Sequence, residues 1–420
     1  TDQNGEAITK DLPKNKEYTI KEVETDKKYK LNNKEIKVEV KYNQVTNVVM
    51  QNEKKKGKIK VIKVDKDDNE IKLKGVEFNI INSKGEVVDN IKTDSDGEVE
   101  TKKLPTDEKY KIVETKTLEN YVLTDKEQLV NIKEDETTKV VIENQKIKGK
   151  LQIIKTSKDD NKITGEKMGT PLQGVQFDIY NSKGIKVETI TTNKNGIAES
   201  KELEKGIYKV KEILTNEWYI LNDKPLEFEI KDNNELIKLD ITNESKDPKV
   251  DIEKNGPNEA EVGTEIEYDI SVRNTGNTPL DKFTWYDVLP AEYIKLTKFE
   301  TGTYNQDLNY NLYYKTNLTE GKYVLLMEDL KTKENYKIDF SKELADNEYV
   351  TELRLEFGTV DVGFCSNENP HIIAKVNENL KNGQVFENVA KVSGIYNKHE
   401  VTDVSKWKTK VIKILPVTGE

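Results

Sequence analysis

The sequence holds a single cysteine, Cys365, so no internal disulfide can form, and the chain must find its stability elsewhere. Cys365 is expected to be a half-buried structural residue rather than a reactive thiol or thioester. Histidine occurs only at His371 and His399, with no cysteine cluster beside them, which argues against a zinc site. Arginine occurs only at Arg273 and Arg354. The other cations are lysines in a chain of formal net charge −10, and no basic patch stands out, so nucleic acid is not an expected partner. No apolar run reaches the length of a membrane-spanning helix. A glycine-rich phosphate loop and a Ser–His–Asp set are both missing, so neither a cofactor nor a small-molecule substrate is expected. The run Asp65, Asp67, Asp68 and Asn69 is faintly similar to a calcium loop. Its sixth position is Glu70 where that loop needs glycine, and a solvated hairpin turn is the better reading.

What the sequence does have is short alternating apolar runs separated by Gly, Asn and Asp turns. Charged residues (35%) slightly outnumber hydrophobic ones (34%), a balance that on its own would suggest disorder. The period-2 pattern instead predicts many half-buried strands. A thin sandwich needs one apolar face per strand, so it tolerates this composition. Repeats set the domain limits. DSDGEVETKKLPTDEKYKIVETKTLENYVL (94–123), NKNGIAESKELEKGIYKVKEILTNEWYIL (193–221) and DQNGEAITKDLPKNKEYTIKEVETDKKYKL (2–31) share one plan of Gly turn, strand, Leu, Tyr-x-Val/Ile-x-Glu strand and aromatic strand. Two units also carry a front half, from Lys56 and from Lys148. The predicted division is 1–55, the back part of a truncated domain; 56–147 and 148–247, two complete copies; and 248–413, a longer, different unit. Helical periodicity is weak throughout. The fold class read from this is all-β: tandem Ig-like or transthyretin-like β-sandwiches arranged as a rod.

Three polar residues break the alternation by facing inward. Ile59, Val61 and Lys63 share one strand face, as do Leu151, Ile153 and Lys155, and Val250, Ile252 and Lys254. Tyr110, Ile112 and Glu114 line up likewise, as do Tyr208, Val210 and Glu212, and Tyr18, Ile20 and Glu22. Each unit then closes on an inward asparagine: Asn144, Asn243 and, in the fragment, Asn52. The Glu-to-Asn spacing is 30, 31 and 30 residues. A buried lysine loses the solvation of its charge and becomes a neutral nucleophile, while a buried carboxyl can stay protonated and shuttle protons. Held together in a dry core, the three groups can form a Lys–Asn amide and release ammonia. The competing reading is a buried Lys–Glu ion pair with an Asn hydrogen bond. Three units keeping the spacing favour the covalent bond.

At this point residues 57–147 and 149–246 resemble CnaB-type (SpaA-like) domains of Gram-positive adhesins and pilins. The stretches that carry the resemblance are VIKVD, KLKGVEFNI, TDSDGE, YKIVETKTLENY and VVIENQK, then IIKTS, PLQGVQFDIY, TNKNGI, YKVKEILTNEWY and LDITNES. The resemblance implies isopeptide bonds Lys63–Asn144 with Glu114 as catalyst and Lys155–Asn243 with Glu212, each tying the first strand of its domain to the last. Residues 248–413, which carry the signature VGTEIEYDISVRNTGN, resemble larger surface-protein sandwiches, some of which, including CnaA-like ones, form a Lys–Asn bond with Asp as catalyst. Asp269 shares the solvent face of Glu265 and Glu267, whereas Asp287 lines up with Phe283, Trp285 and Leu289. The expected set is therefore Lys254, Asp287 and Asn388. Leu415-Pro416-Val417-Thr418-Gly419 matches the sortase pattern, which implies cleavage after Thr418 and transfer to peptidoglycan on a cell-wall-anchored, extracellular protein. The hydrophobic segment and basic tail that accompany such a motif are not in the sequence, so a trimmed chain is expected. The function implied is a covalently stiffened stalk without enzymatic turnover, holding an N-terminal head and its host or matrix ligand away from the wall. The alternative is a subunit of a sortase-assembled pilus; the chain has no Tyr-Pro-Lys pilin tripeptide.

Overall fold

The structure is a computed structural model that describes residues 1–345 and 347–413. The sortase-like residues 415–419 lie outside the described residues. Within them almost all regular structure is strand. The one helical turn, Phe340–Glu343, is capped by the Asp339 carboxylate, which accepts from the Ser341 N–H.

Residues 56–147 form two facing sheets. In one, Lys56–Asp65 lies between Thr137–Asn144 and Glu98–Glu100, with Leu104–Pro105 also paired to it. The other runs Val87–Lys92, Glu77–Ile81, Lys109–Lys116, Gln128–Asn131. The domain's first and last strands are neighbours and run parallel, with Lys63 opposite Ile142 and Asp65 opposite Asn144. Residues 148–247 repeat the plan: Lys148–Ser157 pairs parallel with Glu235–Asn243, Lys155 opposite Ile241. The alternation read from the sequence is the reason these strands form. Along Lys56–Asp65 the residues Gly57, Ile59, Val61 and Lys63 are buried while Lys58, Lys60 and Ile62 are half-buried. Ile59, Val61, Phe78, Ile80, Tyr110 and Ile112 close the core between the sheets.

The strand after Lys63 departs from the simple picture. Asp65 is buried rather than part of a solvated turn. It accepts the Tyr121 hydroxyl at 2.7 Å and the backbone N–H groups of Asp67 and Asp68. Only the residues after it form an exposed turn. In 1–55, Glu17–Ile20 and Ile36–Glu39 pair antiparallel. No described strand covers their apolar face, and Val23 and Val49 stay 87% and 79% exposed.

Residues 248–413 form a larger sandwich. A five-stranded sheet runs Val250–Asn255, Glu265–Asn274, His371–Val376, Ile294–Glu300, Lys337–Asp339. A seven-stranded sheet runs Glu259–Glu261, His399–Ile412, Val385–Tyr396, Leu280–Val288, Val350–Val360, Asn309–Thr316, Val324–Lys331. Trp285, Phe283, Phe299, Tyr304 and Tyr268 fill the space between. Cys365 is half-buried at the sheet margin, its N–H donating to the Asn305 side chain. Polar contacts join sequence neighbours, as in Lys30–Asp135 and Lys146–Glu204. The hairpin tip at Tyr396 and Asn397 donates to Glu217 of the preceding domain.

Gly57 and Gly149 stand at matching points of the two repeats, where the first strand passes under the loop before the last. A Cβ at Gly57 would fall 2.1 Å from the Lys133 carbonyl oxygen, and one at Gly149 would fall 2.7 Å from that of Glu235. Both obstacles are backbone, the loop before the last strand at Gly57 and the start of that strand at Gly149, so main chain must shift. Gly57→Val is expected to destabilise residues 56–147 by about 1–3 kcal/mol and leave the neighbouring domains' melting unchanged, as read by domain-resolved hydrogen exchange.

Candidate functional site

The lysine, acid and asparagine of each complete repeat come together inside the sandwich. Lys63 and Asn144 belong to adjacent parallel strands of one sheet, and Glu114 projects from the facing sheet. Lys63 Nζ donates to Asn144 Oδ1 at 2.5 Å and lies 2.7 Å from Glu114 Oε2, off that oxygen's hydrogen-bonding direction. Asn144 Nδ2 donates to Glu114 Oε1 at 2.6 Å and to Thr117 Oγ1 at 2.7 Å. The next domain repeats the cluster: Lys155 Nζ donates to Asn243 Oδ1 at 2.5 Å and lies 2.9 Å from Glu212 Oε2 as an ion pair, and Asn243 Nδ2 donates to Glu212 Oε1 at 2.5 Å and to Thr215 Oγ1 at 2.9 Å. The side chains of Lys63, Glu114 and Lys155 are fully enclosed, and that of Glu212 nearly so. The ammonium groups face the rings of Phe78 and Phe177. Burial pushes both lysine pKa values below the ordinary value, and the glutamate beside each opposes that shift.

The fragment 1–55 carries the acid–amide half of the cluster. Asn52 Nδ2 donates to Glu22 Oε1 at 2.7 Å and to Thr25 Oγ1 at 2.8 Å. Both residues are half-buried, and among the described residues no lysine ammonium pairs with Glu22. Hydrogen bonds from the Asn32 N–H and the Asn52 amide hold the Glu22 carboxyl below its ordinary range.

In the large sandwich Lys254 Nζ donates to Asp287 Oδ2, and both side chains are fully enclosed. Burial lowers the Lys254 pKa and raises that of Asp287; the lysine and the nearby Asn388 amide pull Asp287 the other way. Asn388 is wholly buried, and neither its Oδ1 nor its Nδ2 has a hydrogen-bond partner. Asp269, the rival carboxylate, is half-exposed and accepts from Asn369. One feature differs from the two repeats. Asn388 lies on the penultimate strand, Val385–Tyr396, and the chain turns back through His399–Ile412 before leaving the domain. The Lys254–Asp287 pair joins the first strand to Leu280–Val288 of the facing sheet, and Asn388 lies on the strand beside it without a hydrogen bond.

The three threonines Thr25, Thr117 and Thr215 escaped the sequence reading. Each stands three residues after the cluster glutamate, a Glu-x-x-Thr spacing visible in all three repeats. Among the described residues no group of three or more His, Cys, Asp and Glu side chains is placed to hold a metal.

Residues 1–54, 57–146 and 149–245 each match the SpaA prealbumin-like fold domain, over more than half of the chain in total. The chain belongs to this family. The trypsin-resistant surface T6 protein of Streptococcus pyogenes serotype M6 is 32% identical over 135 residues, which is 29% of this chain and 25% of that protein. The chain thus spans about a quarter of that relative's length. Among solved structures, the TIE protein of Bacillus anthracis is 34% identical, with a TM-score of 0.46 over 55% of this chain and 42% of that one. BcpA, the major pilin subunit of Bacillus cereus, is 17% identical, with a TM-score of 0.24 over 63% and 69% of the two chains.

For the SpaA-type domains the enclosed ion pair sets two expectations. Lys63→Met strands the Glu114 carboxylate without its cation and is expected to cost about 3–5 kcal/mol, measured by urea unfolding. In an Asn144→Ala chain, Lys63 stays buried and cannot be acylated. Its folded-state pKa lies below the unfolded value, so in the window beneath the ordinary 10.5 the unfolded chain binds the extra proton. Stability of this variant should therefore rise with pH through that window. The Lys63→Met, Asn144→Ala double variant, titrated in parallel, should lack that rise.

Proposed function

We propose that residues 1–413 form the stalk of a Gram-positive surface protein, stiffened by self-formed Lys–Asn isopeptide bonds. In this reading a sortase anchors the chain to peptidoglycan through Thr418. The observation that carries it is the enclosed contact of Lys63 with Asn144, repeated at Lys155 and Asn243. In each, an amine made less basic by burial lies against a carboxamide whose other side is held by a glutamate. Attack of Nζ on Cγ breaks the Cγ–Nδ2 bond. The glutamate takes a proton from the amine and returns it to the departing nitrogen, which leaves as ammonia.

Strand direction explains what such a bond does. The first and last strands of each SpaA-type domain are parallel, so tension along the chain pulls them from opposite ends, in shear. A bond at Lys63–Asn144 takes the load across after eight residues of the first strand, and the intervening chain carries none. By analogy with a disulfide closing a loop of this size, the bond adds about 4–5 kcal/mol in the chain-entropy model. In the large sandwich a Lys254–Asn388 bond leaves the strand His399–Ile412 in the load path. That strand is held by an antiparallel ladder running from Val385–Lys410 to Tyr396–His399.

Intact mass under denaturing conditions tests the chemistry. Loss of three ammonias per chain is expected, one per cluster. Loss of two, with cross-linked peptides from 56–247 only, would remove the large sandwich from the set. An unmodified mass would leave ordinary buried polar clusters and defeat the covalent reading. Glu114→Ala should restore one ammonia's mass while Lys155–Asn243 still forms.

A further inference from the structure

We propose that Thr117 and Thr215, with Thr25 as their counterpart in the fragment, are positioning residues for isopeptide formation. Each hydroxyl fixes the plane of the reacting asparagine. This rests on the covalent reading above and adds a residue to it. The observation is one geometry found three times. The Thr Oγ1 to Asn Nδ2 distance is 2.7 Å at Thr117–Asn144, 2.9 Å at Thr215–Asn243 and 2.8 Å at Thr25–Asn52. The fragment shows that the contact does not depend on the lysine. Its acid, amide and hydroxyl are arranged as in the complete domains, although no described lysine pairs with Glu22.

The chemistry gives the hydroxyl a task. For attack, the lysine nitrogen must approach the face of the Asn carbonyl carbon, so the carboxamide's rotation about its terminal bond has to be fixed. That torsion is intrinsically broad. One hydrogen bond to the glutamate leaves the amide free to swing. A second, accepted by a hydroxyl on the same edge, pins it. The glutamate and threonine hold one edge of the amide while the lysine takes the other. A hydroxyl can accept from an N–H or donate to an oxygen, so it can stay bonded to the amide edge as protons move through the reaction. Thr117 and Thr215 are half-buried, just beyond the end of the glutamate strand, and do not belong to the apolar core of their domains. The large sandwich supplies the contrast: Asn388 has no hydrogen-bond partner at either side-chain atom.

The test follows ammonia loss in time. Chain recovered unfolded in denaturant is diluted into buffer, quenched in acid at intervals, and weighed. Peptide mapping assigns each loss to its domain. Thr117→Val keeps the shape and removes the hydroxyl. It is expected to slow Lys63–Asn144 closure roughly three- to tenfold, the loss of one hydrogen bond in the transition state, and to leave Lys155–Asn243 closure unchanged. Thr215→Val should do the reverse. Thr117→Ser should restore the rate, because it returns the oxygen without the methyl group. Refolding followed by circular dichroism should be the same in all four chains. Unchanged closure in both valine variants would overturn the proposal, as would a serine variant as slow as the valine one. If the wild-type chain loses no ammonia, the covalent reading itself fails, and this inference with it. A wild-type chain that closes both bonds beside valine variants that close equally fast would defeat the threonine role alone.

Discussion

Everything in the two SpaA-type domains turns on enclosing a lysine ammonium inside a thin sandwich. Lys63 and Lys155 continue the apolar rows of their strands, so the alternation that builds the core also carries a charge into it. Removing such an ion from water costs several kcal/mol even after relaxation, and the interior must answer with a partner. Glu114 and Glu212 supply the opposite charge from the facing sheet. Phe78 and Phe177 supply ring faces. Asn144 and Asn243 complete the set, and they are the groups through which the charge can be removed altogether. A neutral amide in place of an ion pair and a free carboxamide suits a dry core better than the separate groups do.

The enclosure also accounts for the topology that matters mechanically. The lysine strand is central in its sheet, and the asparagine strand runs parallel beside it, so the cluster lies where the first strand ends and the last strand leaves the domain. In residues 1–55 the glutamate, asparagine and threonine keep their hydrogen bonds but lie half-exposed under an uncovered apolar face. The polar geometry therefore belongs to the back half of the domain. Dryness comes from the front half that carries the lysine. The proposed bond needs both, because burial is what lowers the basicity of the lysine amine.

Much of this was legible in the residues. Period 2 gave the strands, the repeats run with the family matches at 1–54, 57–146 and 149–245, and the inward Lys, Glu and Asn positions of the two complete repeats lie in hydrogen-bonding contact. What escaped depends on contacts that alternation does not encode. Asp65 lies at the end of an apolar strand, and its burial is set by Tyr121, far along the chain. Thr117 lies past the end of its strand, where facing no longer follows a period, although its fixed distance from Glu114 was visible three times. The placing of Asn388 on the penultimate strand depends on strand order in a seven-stranded sheet, and that order is decided by long-range pairing.

The choice of acid follows from which group crosses the core. In the SpaA-type domains lysine and asparagine share a sheet, and the acid must reach them from the opposite one. Facing sheets stand about 10 Å apart, so the longer side chain, glutamate, fits that task. In the large sandwich the division is reversed. Asp287 and Asn388 stand on adjacent strands of one sheet, with Asp287 opposite Ala390, and Lys254 comes from the other sheet. There the lysine's four-carbon stem spans the gap, and the acid has only to reach along its own sheet, for which aspartate suffices. Lysine and acid thus pair across both kinds of sandwich, with one methylene fewer in the acid where the crossing falls to the lysine.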